Sequence, residues 1–145
     1  MCTLEFLRAA GIECCTDYGM AGVSRFEDLG AWQLANELKK RAYELCQRPL
    51  VARDFGFRNQ LQDAAASGPR NIAEGFGRFR HADFARFVRI ARASEQEVLN
   101  HFRDAVDRGY LTAEELPEFE HAARRALHAA SGLLRYLDTH PDPPQ

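Results

Sequence analysis

Residues 81–109 read HADFARFVRIARASEQEVLNHFRDAVDRG. Within them Phe84, Phe87, Val88, Ala91, Val98, Phe102 and Ala105 recur at steps of three and four, the spacing that lines one side of an α-helix. The pattern predicts a helix that begins between His81 and Asp83 and stops at Gly109, where a missing Cβ suits a helix end. Nowhere does the chain sustain the polar and apolar alternation, rich in β-branched residues, that marks strands, so the remainder reads as helical too.

Working outward, residues 29–48 set Leu34, Ala35, Leu38, Ala42 and Leu45 on one face and stop before Pro49. Trp32 and Tyr43 fall off that face, so they form a second apolar surface buried either by self-association or by the N-terminal segment or fourth helix. A second stretch starts at Asp54, an expected N-cap. It carries Phe57, Leu61, Ala64, Ala65, Ile72 and Ala73 to the break at Gly75-Phe76-Gly77. Ser67-Gly68-Pro69 interrupts it. Proline has no N–H to donate and its ring presses on the carbonyl four residues back, which predicts a kink in one helix rather than two helices.

Downstream, Thr112-Ala113-Glu114-Glu115 has the form of a capping box, in which hydroxyl and carboxylate each satisfy a free backbone amide. A fourth helix follows through Leu116, Phe119, Ala123, Ala126, Leu127, Ala130, Leu133, Leu134 and Leu137. Short connections favour antiparallel neighbours, so the expected fold is all-α: an up-down-up-down four-helix bundle over residues 26–138, its second helix kinked. Residues 1–25 lack periodicity and are expected to be poorly ordered or loosely packed. Residues 1–19, ahead of Met20, are either a loosely attached segment or an upstream extension of the reading frame. Residues 139–145, with three prolines, are expected to be a disordered tail.

A chain of 145 residues can bury roughly 68–70% of its unfolded surface, so one core suffices and no staple is needed. Cys2, Cys14, Cys15 and Cys46 have no zinc spacing, the adjacency of Cys14 and Cys15 strains a mutual bridge, and reduced thiols are expected. No apolar run reaches the roughly 20 residues of a membrane span, and no secretory signal is read, which makes a cytoplasmic location the expectation. The formal charge of −2 excludes a wholly basic nucleic-acid coat, but charge is uneven: residues 53–92 carry +4 and residues 93–145 carry −5. Any polyanion must meet a local patch.

Catalytic signatures are missing. No Ser or Cys sits in a nucleophile elbow, Gly75-x-Gly77 lacks the third glycine of a dinucleotide loop, and no phosphate-loop lysine is present. Glu118 and His121 have the Glu-x-x-His spacing of di-iron bundles, yet they lie beside the apolar stripe and no second copy exists, so a solvated face is the simpler reading. Glu97 and His101 are spaced to pair on a helix surface, and His121 and His128 are two turns apart, too far for one ion without other ligands. A non-enzymatic protein with no metal and no cofactor is expected.

The basic centre carries more information. Seventeen of the 19 basic residues are Arg, whose planar fork fits phosphate, although a GC-rich genome gives the same bias. On the third helix Arg86, Arg89 and Arg103 oppose the apolar face with Arg92 at its margin, while Arg78 and Arg80 lie in the turn before it. Such a stripe can neutralise phosphates. The plainer alternative is an ordinary solvated face, or one paired with the acidic Glu114, Glu115, Glu118 and Glu120. Aromatic interleaving of a single-strand platform is not read, because Phe84, Phe87 and Phe102 belong to the core stripe.

Phe26-Glu27-Asp28-Leu29, Trp32-Gln33-Leu34-Ala35 and the run from Gln60 through Gly68-Pro69-Arg70-Asn71-Ile72-Ala73-Glu74-Gly75-Phe76-Gly77-Arg78 resemble the helical proteins encoded in 23S rRNA intervening sequences. Phe84-x-x-Phe87, residues 91–97 and Gly109-Tyr110-Leu111 continue the resemblance over residues 26–137, with Asn71-Ile72-Ala73-Glu74-Gly75 its most specific element. The resemblance implies a small bacterial four-helix bundle that assembles as a homopentamer without established enzymatic activity. A related branch serves diversity-generating retroelements as a basic pentamer that binds reverse transcriptase and nucleic acid, whereas this chain carries −2. Trp32, Pro69, Asn71, Glu74 and Gly75 stand at the signature positions, where a structural role around the kink accounts for them. The expected function is thus a homo-oligomer that binds RNA or another nucleic acid through Arg78, Arg80, Arg86, Arg89, Arg92 and Arg103. The alternative is a protein-interaction scaffold without a nucleic-acid role.

Overall fold

The computed structural model describes residues 22–142, and the expectations for residues 1–21 and 143–145 lie outside them. The described residues are all-helical, with a 3-10 turn at Phe26–Asp28 and five α-helices: α1 Gly30–Cys46, α2 Pro49–Arg53, α3 Phe55–Phe76, α4 His81–Asp107 and α5 Leu116–Thr139. The four long helices pack in a closed cycle, α1 against α3 and α5, and α4 against the same two.

Helix α1 buries Ala31, Ala35, Leu38, Ala42, Leu45 and Cys46, while Leu34, placed on that face by the spacing, is half-buried. The helix ends at Cys46, two residues before the expected Arg48, because Arg48 precedes a proline and is extended at φ −61° and ψ 138°. Pro49 then opens the short α2, which the apolar spacing does not signal; its fixed φ suits a first helical turn. Trp32 meets Phe26 edge-on at 5.4 Å and packs on the core, whereas Tyr43 remains 37% exposed.

Asp54 is the N-cap of α3, its Oδ1 accepting from the Phe57 amide at 3.1 Å, and its other oxygen accepts from the Tyr110 hydroxyl at 2.7 Å. The helix runs unbroken through Ser67-Gly68-Pro69. Helix α4 ends in a Schellman arrangement: Gly109 has φ +74°, the Tyr110 amide donates to the Ala105 carbonyl at 2.8 Å and the Gly109 amide to Val106 at 3.0 Å. The capping box closes reciprocally, Thr112 N donating to Glu115 Oε2 at 2.9 Å and Glu115 N to Thr112 Oγ1 at 3.2 Å. Glu115 also takes Arg48 at 2.7 Å, and these bonds hold its carboxyl down to about 2.

Buried side chains form two clusters. One holds Leu38, Leu61, Val98, Phe102 and Phe119, the other Leu29, Ile72, Phe84, Val88 and Leu133. Along α4, Glu95 falls between Ala91 of one cluster and Val98 of the other, and is 1% exposed. Neither of its carboxylate oxygens has a hydrogen-bond partner among the described residues. A Cβ added at Gly68 would lie 3.5 Å from Glu95 Oε1 and 3.6 Å from Ala35 Cβ, so the carboxyl occupies a narrow waist between α1 and α3. Burial pushes it up to about 8, against the pull of Arg92.

Candidate nucleic-acid interface

Residues 77–80 join α3 to α4, and the base of this turn is tight. A Cβ on Gly75 would clash with the Phe84 ring and come within 2.9 Å of Phe87 Cβ, so only glycine lets the two helices approach this closely. The Phe76 and Phe84 rings meet edge-on at 6.2 Å beneath the turn. Arg78 is held from two sides, by Glu74 at 2.7 Å and over the Phe87 ring at 4.9 Å. Phe87, assigned to the core stripe from its spacing, is in fact half-buried and serves as that arginine's platform. The residue between Arg78 and Arg80 is Phe79, 49% exposed.

The α4 N-terminus beside Arg80 is closed from the far end of the chain. His81 N donates to Asp142 Oδ1 at 2.7 Å, and His81 Nδ1 lies 3.1 Å from the His140 carbonyl. Residues 140 and 142 of the expected tail thus contact the start of α4.

The six arginines do not form one uniform stripe. Arg89 pairs with Asp138 at 2.9 Å and Arg103 with Glu120 at 2.7 Å, both reaching across to α5. Arg92 donates to the Ser131 hydroxyl at 2.9 Å, which leaves its charge unneutralised by that bond. Arg80 and Arg86 are exposed, and their guanidinium groups make no hydrogen bond or ion pair among the described residues. Of the acidic stretch, Glu118 pairs with Arg41 at 2.7 Å and Glu115 with Arg48, so only Arg103 of the six is taken by it. Exposed pairs of this kind contribute little, about 0–1 kcal/mol, and a phosphate can displace them.

The signature residues are spent internally. Asn71 Nδ2 donates to the Ser67 carbonyl at 2.8 Å and to its hydroxyl at 3.0 Å, and that hydroxyl accepts from Ser94 of α4 at 2.8 Å. Glu74 orients Arg78, Gly75 admits Phe84, and Pro69 is buried.

Other candidates disperse. Glu118 and His121 line an open groove between α1 and α5, where Glu118 is committed to Arg41. Among the described residues no three His, Cys, Asp or Glu side chains gather as metal ligands. His101, expected to pair on the surface, is buried and meets Phe57 edge-on, with Glu97 3.6 Å away. Cys46 is buried and free, its thiol pushed up to about 11. No described helix is long and apolar enough to cross a membrane.

Two residues escaped the sequence reading. Glu95 stands in the series 91, 95, 98, 102, so a charge on the apolar stripe was the available signal. Phe79 was available as an aromatic between two arginines in a turn, with no helical register to bury it.

Helices and turn together define a small all-helical protein built on four long helices and offering a cationic turn at one end. Residues 27–131 match the model of the 23S rRNA-intervening sequence protein family, and the chain belongs to that family. No curated protein matches it.

Proposed function

We propose that the protein is a non-enzymatic, cytoplasmic homo-oligomer that binds RNA or another nucleic acid through the turn after α3 and the outer face of α4. The observation that carries this reading is that Arg80 and Arg86 are exposed without an ion pair, beside a positioned Arg78 and an Arg92 bonded only to a hydroxyl. Charge unpaired within the chain is available to phosphate. The net charge of −2 makes one such patch weak, and repetition around a ring, a pentamer by family likeness, supplies avidity.

The same reading takes the four long helices as an up-down-up-down bundle with α3 bent at Pro69. Contacts that fall along one helix as they rise along the next support it: Ser67 with Ser94 and Gly75 with Phe84, then Arg89 with Asp138 and Arg103 with Glu120. Pro69 supports the bend by leaving the Ala65 carbonyl without its helical donor.

Salt-dependent binding of labelled RNA by wild type and by R80E/R86E tests the site. Loss of binding with unchanged circular dichroism supports it, and unchanged binding refutes it. Light scattering on the purified protein tests the ring, and a monomer removes the avidity argument. The pairing of Arg89 and Arg103 with α5 carboxylates favours a second reading, a protein-interaction scaffold, which predicts an oligomer that carries no nucleic acid at any salt.

A further inference from the structure

We infer that Phe79 is a stacking post for unpaired bases, which makes the preferred partner single-stranded RNA rather than duplex; this rests on the nucleic-acid reading of the same turn. Four phenylalanines surround the turn. Phe84 is buried, Phe76 packs on it, Phe87 carries Arg78, and Phe79 alone of the four presents half its surface to solvent. Arg78 and Arg80 flank it and Arg86 follows in the next helix, so a strand held by its phosphates on these arginines has an exposed aromatic side chain within the same stretch of chain.

The post is firmly based. Gly75 sets the close approach of α3 and α4, and Arg78 is pinned between Glu74 and the Phe87 ring, so the turn projects from a fixed footing. A base stacks on an aromatic ring through its π-face, which every base has and which a duplex hides between neighbouring pairs. Arginines alone read phosphate and distinguish the two forms poorly. Discrimination between strand and duplex thus falls to Phe79.

The test uses the full chain and two labelled RNAs, an unstructured strand of about twelve nucleotides and a duplex of equal length, followed by fluorescence anisotropy at low salt. F79A is expected to weaken strand binding roughly tenfold, within the range for one base on one aromatic ring, and to leave duplex binding unchanged. F79W is expected to retain strand binding, with Trp emission that changes on adding the strand and not the duplex. If F79A binds the strand as wild type does while R80E/R86E loses both RNAs, the post is refuted and the arginine site stands. If wild type binds neither RNA, the nucleic-acid reading falls, and this inference with it.

Discussion

Replacing Glu95 with Gln is expected to make the protein's stability less dependent on pH and to raise it in mild alkali. Glu95 is the one buried carboxylate among the described residues, set against Gly68, with neither oxygen hydrogen-bonded. Burial lifts it from 4.5 to about 8, Arg92 opposing. The unfolded chain releases this proton near 4.5 and the native chain only near 8, so between those values the native state binds more protons. Native stability therefore falls as pH rises through that window and levels off above it. At about 1.36 kcal/mol per factor of ten, the full window amounts to roughly 5 kcal/mol. That is a ceiling, because water entry or a swing of Arg92 relieves part of it, yet it is large against a total of about 5–15 kcal/mol. Gln has nearly the same shape and never ionises. Urea unfolding of both proteins from about pH 5 to about pH 9 measures the difference, in which titrations common to both cancel. Glu95→Gln should stand near or below wild type at the acid end and gain about 2 kcal/mol or more across the range. Parallel stability curves would show that Glu95 is solvated or partnered in solution and refute the buried neutral acid.

Gly75→Ala forces a methyl against Phe84 and Phe87 Cβ, and overpacking of this kind costs about 1–3 kcal/mol, a fall in Tm of roughly 2–4 °C per kcal/mol by scanning calorimetry. Gly109→Ala places a side chain at φ +74° and should cost about 1–2 kcal/mol, whereas Gly77→Ala, at φ −72°, should be nearly neutral in the same melts. Glu115→Gln weakens the bond to Arg48; since Glu115 is held down to about 2, the wild type should lose its advantage as pH falls from about 4.5 towards 2, and an unchanged difference would refute the pairing. Cys46, buried with its thiol near 11, should stay unmodified by iodoacetamide at neutral pH until the protein is unfolded, as peptide mass spectrometry will show.

What the sequence made legible is what local chemistry determines. The long helices followed from apolar steps of three and four, and Asp54, Gly109 and Thr112 with Glu115 marked three boundaries because each closes bonds within a few residues of itself. Helix α2 was not legible, since five residues hold too little of a period and only Pro49 announces it. The division of the arginines was not legible either. Whether Arg89 or Arg86 is free depends on Asp138, 49 residues away, and on which flank of α4 the fifth helix covers. A helical wheel gives the angle of a residue on its own helix, not the identity of its neighbour.

The family signature and the proposed site do different jobs. Asn71 ties Ser67 and, through that hydroxyl, Ser94 of the next helix; Gly68 leaves room for the Glu95 carboxyl; Gly75 lets Phe84 close on α3; Glu74 aims Arg78. Each of these bonds or close contacts lies inside the chain, so these residues explain a shared fold. They do not require a shared ligand. Phe79, Arg80 and Arg86 are exposed, and neither arginine's guanidinium bonds to the rest of the described chain, so replacing these side chains costs the fold little. Change can therefore accumulate in this turn while the signature below it is held by packing. A chain that keeps the signature but carries small uncharged residues at these three positions should fold alike and lack the salt-sensitive binding proposed here, and the triple substitution of Phe79, Arg80 and Arg86 by Ser makes that chain directly. If it still bound the strand with undiminished salt dependence, the polyanion site would lie elsewhere on the surface.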